Sequence, residues 1–125
     1  MTKTANISKE NEIAFIALSN PPMNALSQGV RAGLKKGIED ALDDNAIKAI
    51  VIHGDGNVFS AGADISEFHL PAEEPHLPDV CDLIEQSEKP VIAAIHGFAL
   101  GGAFEIALST CLLYTSDAAD ETGRV

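Results

Sequence analysis

The apolar run Val91-Ile92-Ala93-Ala94-Ile95 is followed by Gly101-Gly102 and then by a second apolar stretch, Ile106-Ala107-Leu108. This order predicts a buried strand, a short turn and a helix that begins at two glycines, and it commits the chain to packing a helix directly on a sheet. A helix start leaves backbone N–H groups without intrahelical partners and carries partial positive charge. Glycine lets a ligand come close to that backbone. Glu105 stands three residues after Gly102, on the same helical face. One short element can thus offer an N–H to developing negative charge and a carboxylate to a moving proton, which suits chemistry beside a carbonyl.

Similar strand and helix patterns run through the rest of the chain. Residues 1–11 are polar and read as frayed at the start. Glu12 to Ser19 reads as a strand that Asn20-Pro21-Pro22 ends, because proline lacks a ladder donor and restricts its predecessor. Ser27 is the expected N-cap of a helix over 28–43, with Val30, Leu34, Ile38 and Leu42 on one stripe. Gly33 and Gly37 in that helix either permit close packing or simply weaken it by about 1 kcal/mol each. Ile47 to His53 is expected to be a strand buried on both faces. Asp64 is expected to open a short helix carrying Glu67 and Phe68. Residues 69–78, with Pro71, Pro75 and Pro78, read as a mobile surface loop. A helix over Asp79 to Glu88 and a strand over 91–96 follow. Strands alternating with helices give an α/β class.

With 125 residues the chain has room for one domain. Its formal net charge of −11 disfavours nucleic acid and anionic membranes as partners. Cys81 and Cys111 form no CxxC pair, so neither a disulfide framework nor a zinc site is expected, and the default compartment is a reducing, cytoplasmic one. No apolar run approaches the length of a membrane span. Neither GxGxxG nor GxxxxGK[ST] occurs, which argues against a nucleotide phosphate at Gly101-Gly102.

Three segments, taken in order, resemble the enoyl-CoA hydratase/isomerase (crotonase) superfamily, over about residues 12–109. They are Asn20-Pro21-Pro22-Met23-Asn24-Ala25-Leu26, Phe59-Ser60-Ala61-Gly62-Ala63-Asp64-Ile65, and the stretch from Lys89 to Leu108. The first also resembles the amino-terminal part of the bifunctional β-oxidation enzymes. The resemblance implies an incomplete crotonase-like ββα superhelix, with residues 1–109 as the amino-terminal part of that domain. It implies an acyl-CoA thioester as substrate, coenzyme A being part of the substrate, with no separate cofactor and no metal. The backbone N–H groups of Ala63 and Gly102 would form the oxyanion hole, and Glu105 would be catalytic, its pKa raised by an apolar surround. Met23, Ala25, Ala61, Asp64, Ile65, Phe98 and Gly101 would line the coenzyme A path. A homotrimer or hexamer of the full-length parent is implied as well.

This sequence departs from the family pattern at Ala103, where many members have a third glycine, and in lacking a counterpart of the family's later catalytic glutamate. Hydration of a 2-enoyl-CoA and shift of its double bond are therefore both open, as is a truncated, catalytically inactive chain that serves as an acyl-CoA-binding or oligomerisation fragment. Residues 110–125 do not continue the family's text. They resemble translated adapter sequence and are expected to be a disordered or artefactual tail, with nothing for Leu112-Leu113-Tyr114 to pack on.

The same residues also carry plainer readings. Glu105 suits the start of any helix, and Asp64 suits a cap. His53 and His96 end apolar strands and read as satisfied core residues rather than bases. His69 and His76 read as solvated, and Cys81 as a small apolar residue on its helix.

Overall fold

In the computed structural model, which describes residues 4–114, five strands form one sheet in the order β1-β2-β3-β4-β5. They are β1 (Thr4–Glu10), β2 (Ile13–Ser19), β3 (Ala49–Gly54), β4 (Val91–Ile95) and β5 (Cys111–Tyr114). β1 runs antiparallel to β2, and the other pairs are parallel. The helices are α1 (Gln28–Asp43), α2 (Leu77–Glu85) and α3 (Gly102–Leu108), with a 3₁₀ turn at Ile65–Glu67. The α/β expectation holds.

The core lies on one face of this sheet. Ala14, Ile16 and Leu18 of β2, Ile50 and Ile52 of β3, and Val91, Ala93 and Ile95 of β4 form one buried cluster with Val30, Leu34 and Ile38 of α1 and Val80 and Ile84 of α2. Burying each valine, leucine or isoleucine among them contributes roughly 1.5–3 kcal/mol. The register brings Ile16, Ile52 and Ala93 side by side across three strands. β3 was expected to be buried on both faces. Instead its residues alternate between buried and half-buried, because α1 and α2 pack against each other and cover the same side.

Ser27 caps α1 as expected, its side chain accepting from the Val30 N–H. At the other end of α1 the Lys89 ammonium donates to the carbonyls of Ala41 (2.7 Å) and Asp44 (2.8 Å), adding a second donor to carbonyls that also accept from the Asp44 and Ile47 N–H groups. Gly33 is where the helix touches the sheet: a methyl placed there would stand 2.6 Å from the Ala5 nitrogen and 2.7 Å from its oxygen. Close packing, of the two readings, is what this glycine does.

That contact also explains β1. Within the polar N-terminal stretch, where no strand was expected, Thr4–Glu10 pairs with β2 along the whole of β2 and lies under α1, while the start expected to be frayed, residues 1–3, lies outside the described residues. The second departure is α2, which begins at Leu77 and ends at Glu85, where Asp79 to Glu88 was expected. Pro78 falls in its first turn, where a missing N–H costs nothing. The third is β5: the backbone of Cys111–Tyr114 adds a parallel strand beside β4, where no continuation of the pattern was expected. Residues 115–125, the rest of the expected tail, lie outside the described residues.

Candidate active site

Because β2, β3 and β4 are parallel, the chain leaves all three at the same edge of the sheet. The loops that emerge there hold the three singled-out segments. Ligands of open α/β sheets bind at this carboxyl edge.

The loops are tied together mainly through their backbones. Leu26 and Ala63 form a parallel bridge, as do Ser60 and Ala99. The Leu26 N–H donates to the Gly62 carbonyl at 2.7 Å and the Ala61 N–H to the Met23 carbonyl at 2.9 Å. Phe59 and Ser60 donate to the carbonyls of His96 (3.0 Å) and Phe98 (3.2 Å), and Leu100 donates back to Ser60 (3.1 Å). Gly62, at φ 99°, lies so close to the third loop that a methyl on it would stand 2.6 Å from the Leu100 oxygen and 3.5 Å from the Gly102 nitrogen. The segment before Ala63 is thus packed on the segment before α3. Among the described residues, neither the Ala63 N–H nor the Gly102 N–H donates to a protein acceptor.

A buried polar pair that the sequence reading did not single out holds this junction. Asn24 is 1 % exposed and has φ 54°. Its side-chain oxygen accepts from the Asn20 N–H at 3.0 Å, and its amide nitrogen lies 2.8, 3.0 and 3.2 Å from the carbonyls of Asp55, Val58 and Phe59. Ser60 Oγ donates to the Asn24 carbonyl at 2.6 Å and accepts from the Gly62 N–H at 3.0 Å. One asparagine therefore sets the turn after β3 and, through Ser60, the peptide that precedes Ala63. An Asn in a loop is a fair signal for a left-handed position, but the carbonyls its amide reaches are thirty or more residues away.

Beside Ala63 opens a cavity of about 320 Å³, lined by Leu26, Arg31, Ala63, Asp64, Phe68, Leu70 and Leu77 among others. Gly102 backs onto its wall: a methyl there would meet Leu77 Cδ2 at 2.6 Å and Leu26 Cδ1 at 3.4 Å.

The remaining expected site residues divide into two sets. Met23, Ala25, Ala61 and Phe98 sit on the stitched loops, where their backbones make the ties described or neighbour them. Gly101 is exposed at φ 53° and precedes α3. Asp64 caps the 3₁₀ turn, accepting from the Ser66 N–H (3.0 Å) and hydroxyl (2.6 Å), so the plainer reading of its carboxylate fits. Ile65 is 75 % exposed.

Glu105 is on α3, one turn after Gly102, but the apolar surround expected for it is absent. The residue is exposed and does not line the cavity. The reason is local: Leu100, Phe104 and Leu108 are exposed too, so nothing among the described residues covers this side of α3. Burial raises the Cys81 thiol on α2 against a lowering by its hydrogen bond to Ser109, and the Glu105 charge adds to the rise, which puts that carboxylate within electrostatic reach of α2. His53 stacks edge-on against Phe15 and the His96 ring bonds the Gly56 carbonyl at 2.8 Å; both are satisfied as expected, but both are half-buried and outside the core cluster, because they fall on the less covered face of their strands. No group of three metal-ligating side chains occurs among the described residues, and no helix there is long and apolar enough to cross a membrane.

The family model described as enoyl-CoA hydratase/isomerase matches residues 8–122. The chain belongs to the enoyl-CoA hydratase/isomerase family. Among curated relatives, the peroxisomal bifunctional enzyme of Danio rerio is 50% identical over 99 residues, covering 79% of this chain and 14% of that protein. The probable enoyl-CoA hydratase of Bacillus subtilis is 41% identical over 106 residues, covering 78% of this chain and 40% of its own. Among solved structures, an enoyl-CoA hydratase from Polaromonas sp. JS666 superposes with a TM-score of 0.78 at 29% identity, covering 90% of this chain and 48% of that one. This enoyl-CoA hydratase/isomerase family chain thus spans under half the length of each of these relatives, and its fold is the crotonase-like α/β fold the motifs implied.

Proposed function

We propose that this chain carries the thioester-binding centre of a 2-enoyl-CoA hydratase or isomerase of fatty acyl-CoA β-oxidation. One observation carries the reading: the main-chain ties that pack Gly62 onto Leu100 and Gly102, with the Ala63 and Gly102 N–H groups donating to no protein acceptor among the described residues and Ala63 lining a cavity. Two such donors would polarise the thioester C=O and hold the enolate that forms when C3 is attacked. Donors fixed by the fold need no reorganisation as that charge develops, which is where such groups gain their effect. The acyl chain would run into the cavity beside Ala63, and coenzyme A would lie along the loops that carry Met23, Ala25, Ala61 and Phe98. Glu105 would take the proton of the attacking water. The names of the animal and plant relatives place those proteins in peroxisomes, so the cytoplasmic expectation rests on cysteine usage alone.

A second reading, binding of acyl-CoA without turnover, is favoured by the exposure of Glu105. The two readings separate in one set of measurements on the 125-residue chain. Butyryl-CoA labelled with ¹³C at its carbonyl should show a lower C=O stretching frequency when bound than when free. An unshifted frequency in the bound state would sink the two-donor reading. Glu105→Gln should then lower crotonyl-CoA hydration by about 10²-fold while the carbonyl shift persists. A shifted carbonyl with no hydration by the unaltered chain would establish the binding-only reading instead.

A further inference from the structure

We propose that Arg31 is a positioning residue that builds the far wall of the cavity and so determines how long an acyl chain it accepts; this rests on the thioester reading of the site. Arg31 lies in the first turns of α1, and its side chain is only 14% exposed. Its guanidinium is spent on backbone. Nη1 donates to the Leu26 carbonyl at 2.7 Å, Nε to Pro75 at 2.8 Å and Nη2 to Glu73 at 3.0 Å, with Glu67 Oε1 3.4 Å from Nη1. Gln28 Nε2 donates to the Glu74 carbonyl at 2.8 Å. Three consecutive carbonyls of a segment without regular structure are thus held by two side chains from the start of one helix.

The opposite carboxylate oxygen of Glu67 accepts from the Gln28 N–H at 2.9 Å, so the 3₁₀ turn is docked on the same helix end. The segment expected to be a mobile loop is therefore pinned at both flanks, by Glu67 before it and by Arg31 and Gln28 at 73–75. The cavity lies inside this frame. Buried Leu26 and exposed Ala63 line it together with exposed Phe68, Leu70 and Pro71. Phe68 and Leu70 are 70% and 55% exposed, so they do not hold themselves in place by burial, and the pinned backbone does it for them.

A charge so occupied is not available to a phosphate of coenzyme A. Its function is geometric, and it depends on the fork of donors that arginine has and lysine lacks. Removing it lets the wall retreat and withdraws apolar contact from the distal carbons of a long acyl chain. The carbons next to the thioester keep their contacts with Leu26 and Ala63.

The test compares the unaltered 125-residue chain with Arg31→Met and Arg31→Lys. Titration calorimetry with butyryl-CoA and decanoyl-CoA should show decanoyl-CoA weakened about tenfold in both variants, the lost burial of roughly two methylene groups, and butyryl-CoA changed by less than about twofold. The neutral apolar dye N-phenyl-1-naphthylamine, which needs no thioester site, should bind about tenfold more weakly as well. Equal weakening of both thioesters would overturn the proposal in favour of a merely structural role, as would no weakening, or rescue by lysine. If the unaltered chain binds neither thioester while the dye still weakens in Arg31→Met, the thioester reading falls and the wall role stands; an unchanged dye affinity then ends the Arg31 proposal. Should Arg31→Met not fold, Gln28→Ala frees only the Glu74 carbonyl and carries the same expectation at about threefold, with no change overturning it.

Discussion

Gly102→Pro, made in a Leu77→Ala background, is expected to lower hydration of a short 2-enoyl-CoA by about 10²–10³-fold relative to Gly102→Ala in the same background. Gly102 is the first residue of α3, the helical position that tolerates proline best, since its N–H has no intrahelical acceptor. Both replacements add a Cβ that would meet Leu77 Cδ2 at 2.6 Å, and shortening Leu77 clears that space. Proline also disfavours the α region in the residue before it, but Gly101 has φ 53° and ψ −122°, away from that region. The two variants then differ chiefly in one amide hydrogen. If turnover is slow, the ¹³C=O frequency of bound butyryl-CoA reads the same difference, and it should lie nearer the free value in the proline variant. Equal rates and equal frequencies in the pair would remove Gly102 from the mechanism.

Asn24→Gly should cost about 2–4 kcal/mol of stability in urea unfolding, and Asn24→Ala about 1–2 kcal/mol more. Glycine accepts φ 54° freely, so the first value isolates the side chain. Its loss strips donors from the carbonyls of Asp55, Val58 and Phe59 and an acceptor from the Asn20 N–H, at a residue that is 1 % exposed. A buried polar group left without a partner costs roughly 1–3 kcal/mol. Alanine adds the crowding of a Cβ in the left-handed region. A glycine variant within about 0.5 kcal/mol of the unaltered chain would mean that the network contributes little.

The elements that the sequence made legible are those whose signal is local. Ser27 marked the start of α1 by its own hydrogen bond, and the Val30-Leu34-Ile38 stripe marked its inner face. β2, β3 and β4 showed as apolar runs bounded by turn residues. The missed elements take their stability from distant partners. β1 is polar in sequence and is ordered by β2 and by the glycine face of α1. β5 needs the exposed edge of β4. Proline at position 78 read as loop because its place in a helix depends on where the helix starts. The site divides in the same way. The glycine-alanine segments were visible as motifs, and the structure stitches them together. Asn24 and Arg31 were invisible as functional residues because most of their acceptors lie far along the chain. Glu105 was placed on the right helix, but its exposure depends on what packs against α3, which no local pattern encodes.

The ties between the three loops have a genetic corollary. Most are bonds between peptide groups, and most codon changes alter what hangs from a peptide group while leaving the group itself where it was. The centre should therefore tolerate drift at positions such as Met23, Ala61 and Ile65. Its sensitivity to inherited error should be marked where no peptide group can stand in: at Asn24, whose side chain bonds three carbonyls of the next loop, and at Gly62 and Gly102, where there is room for hydrogen and little else.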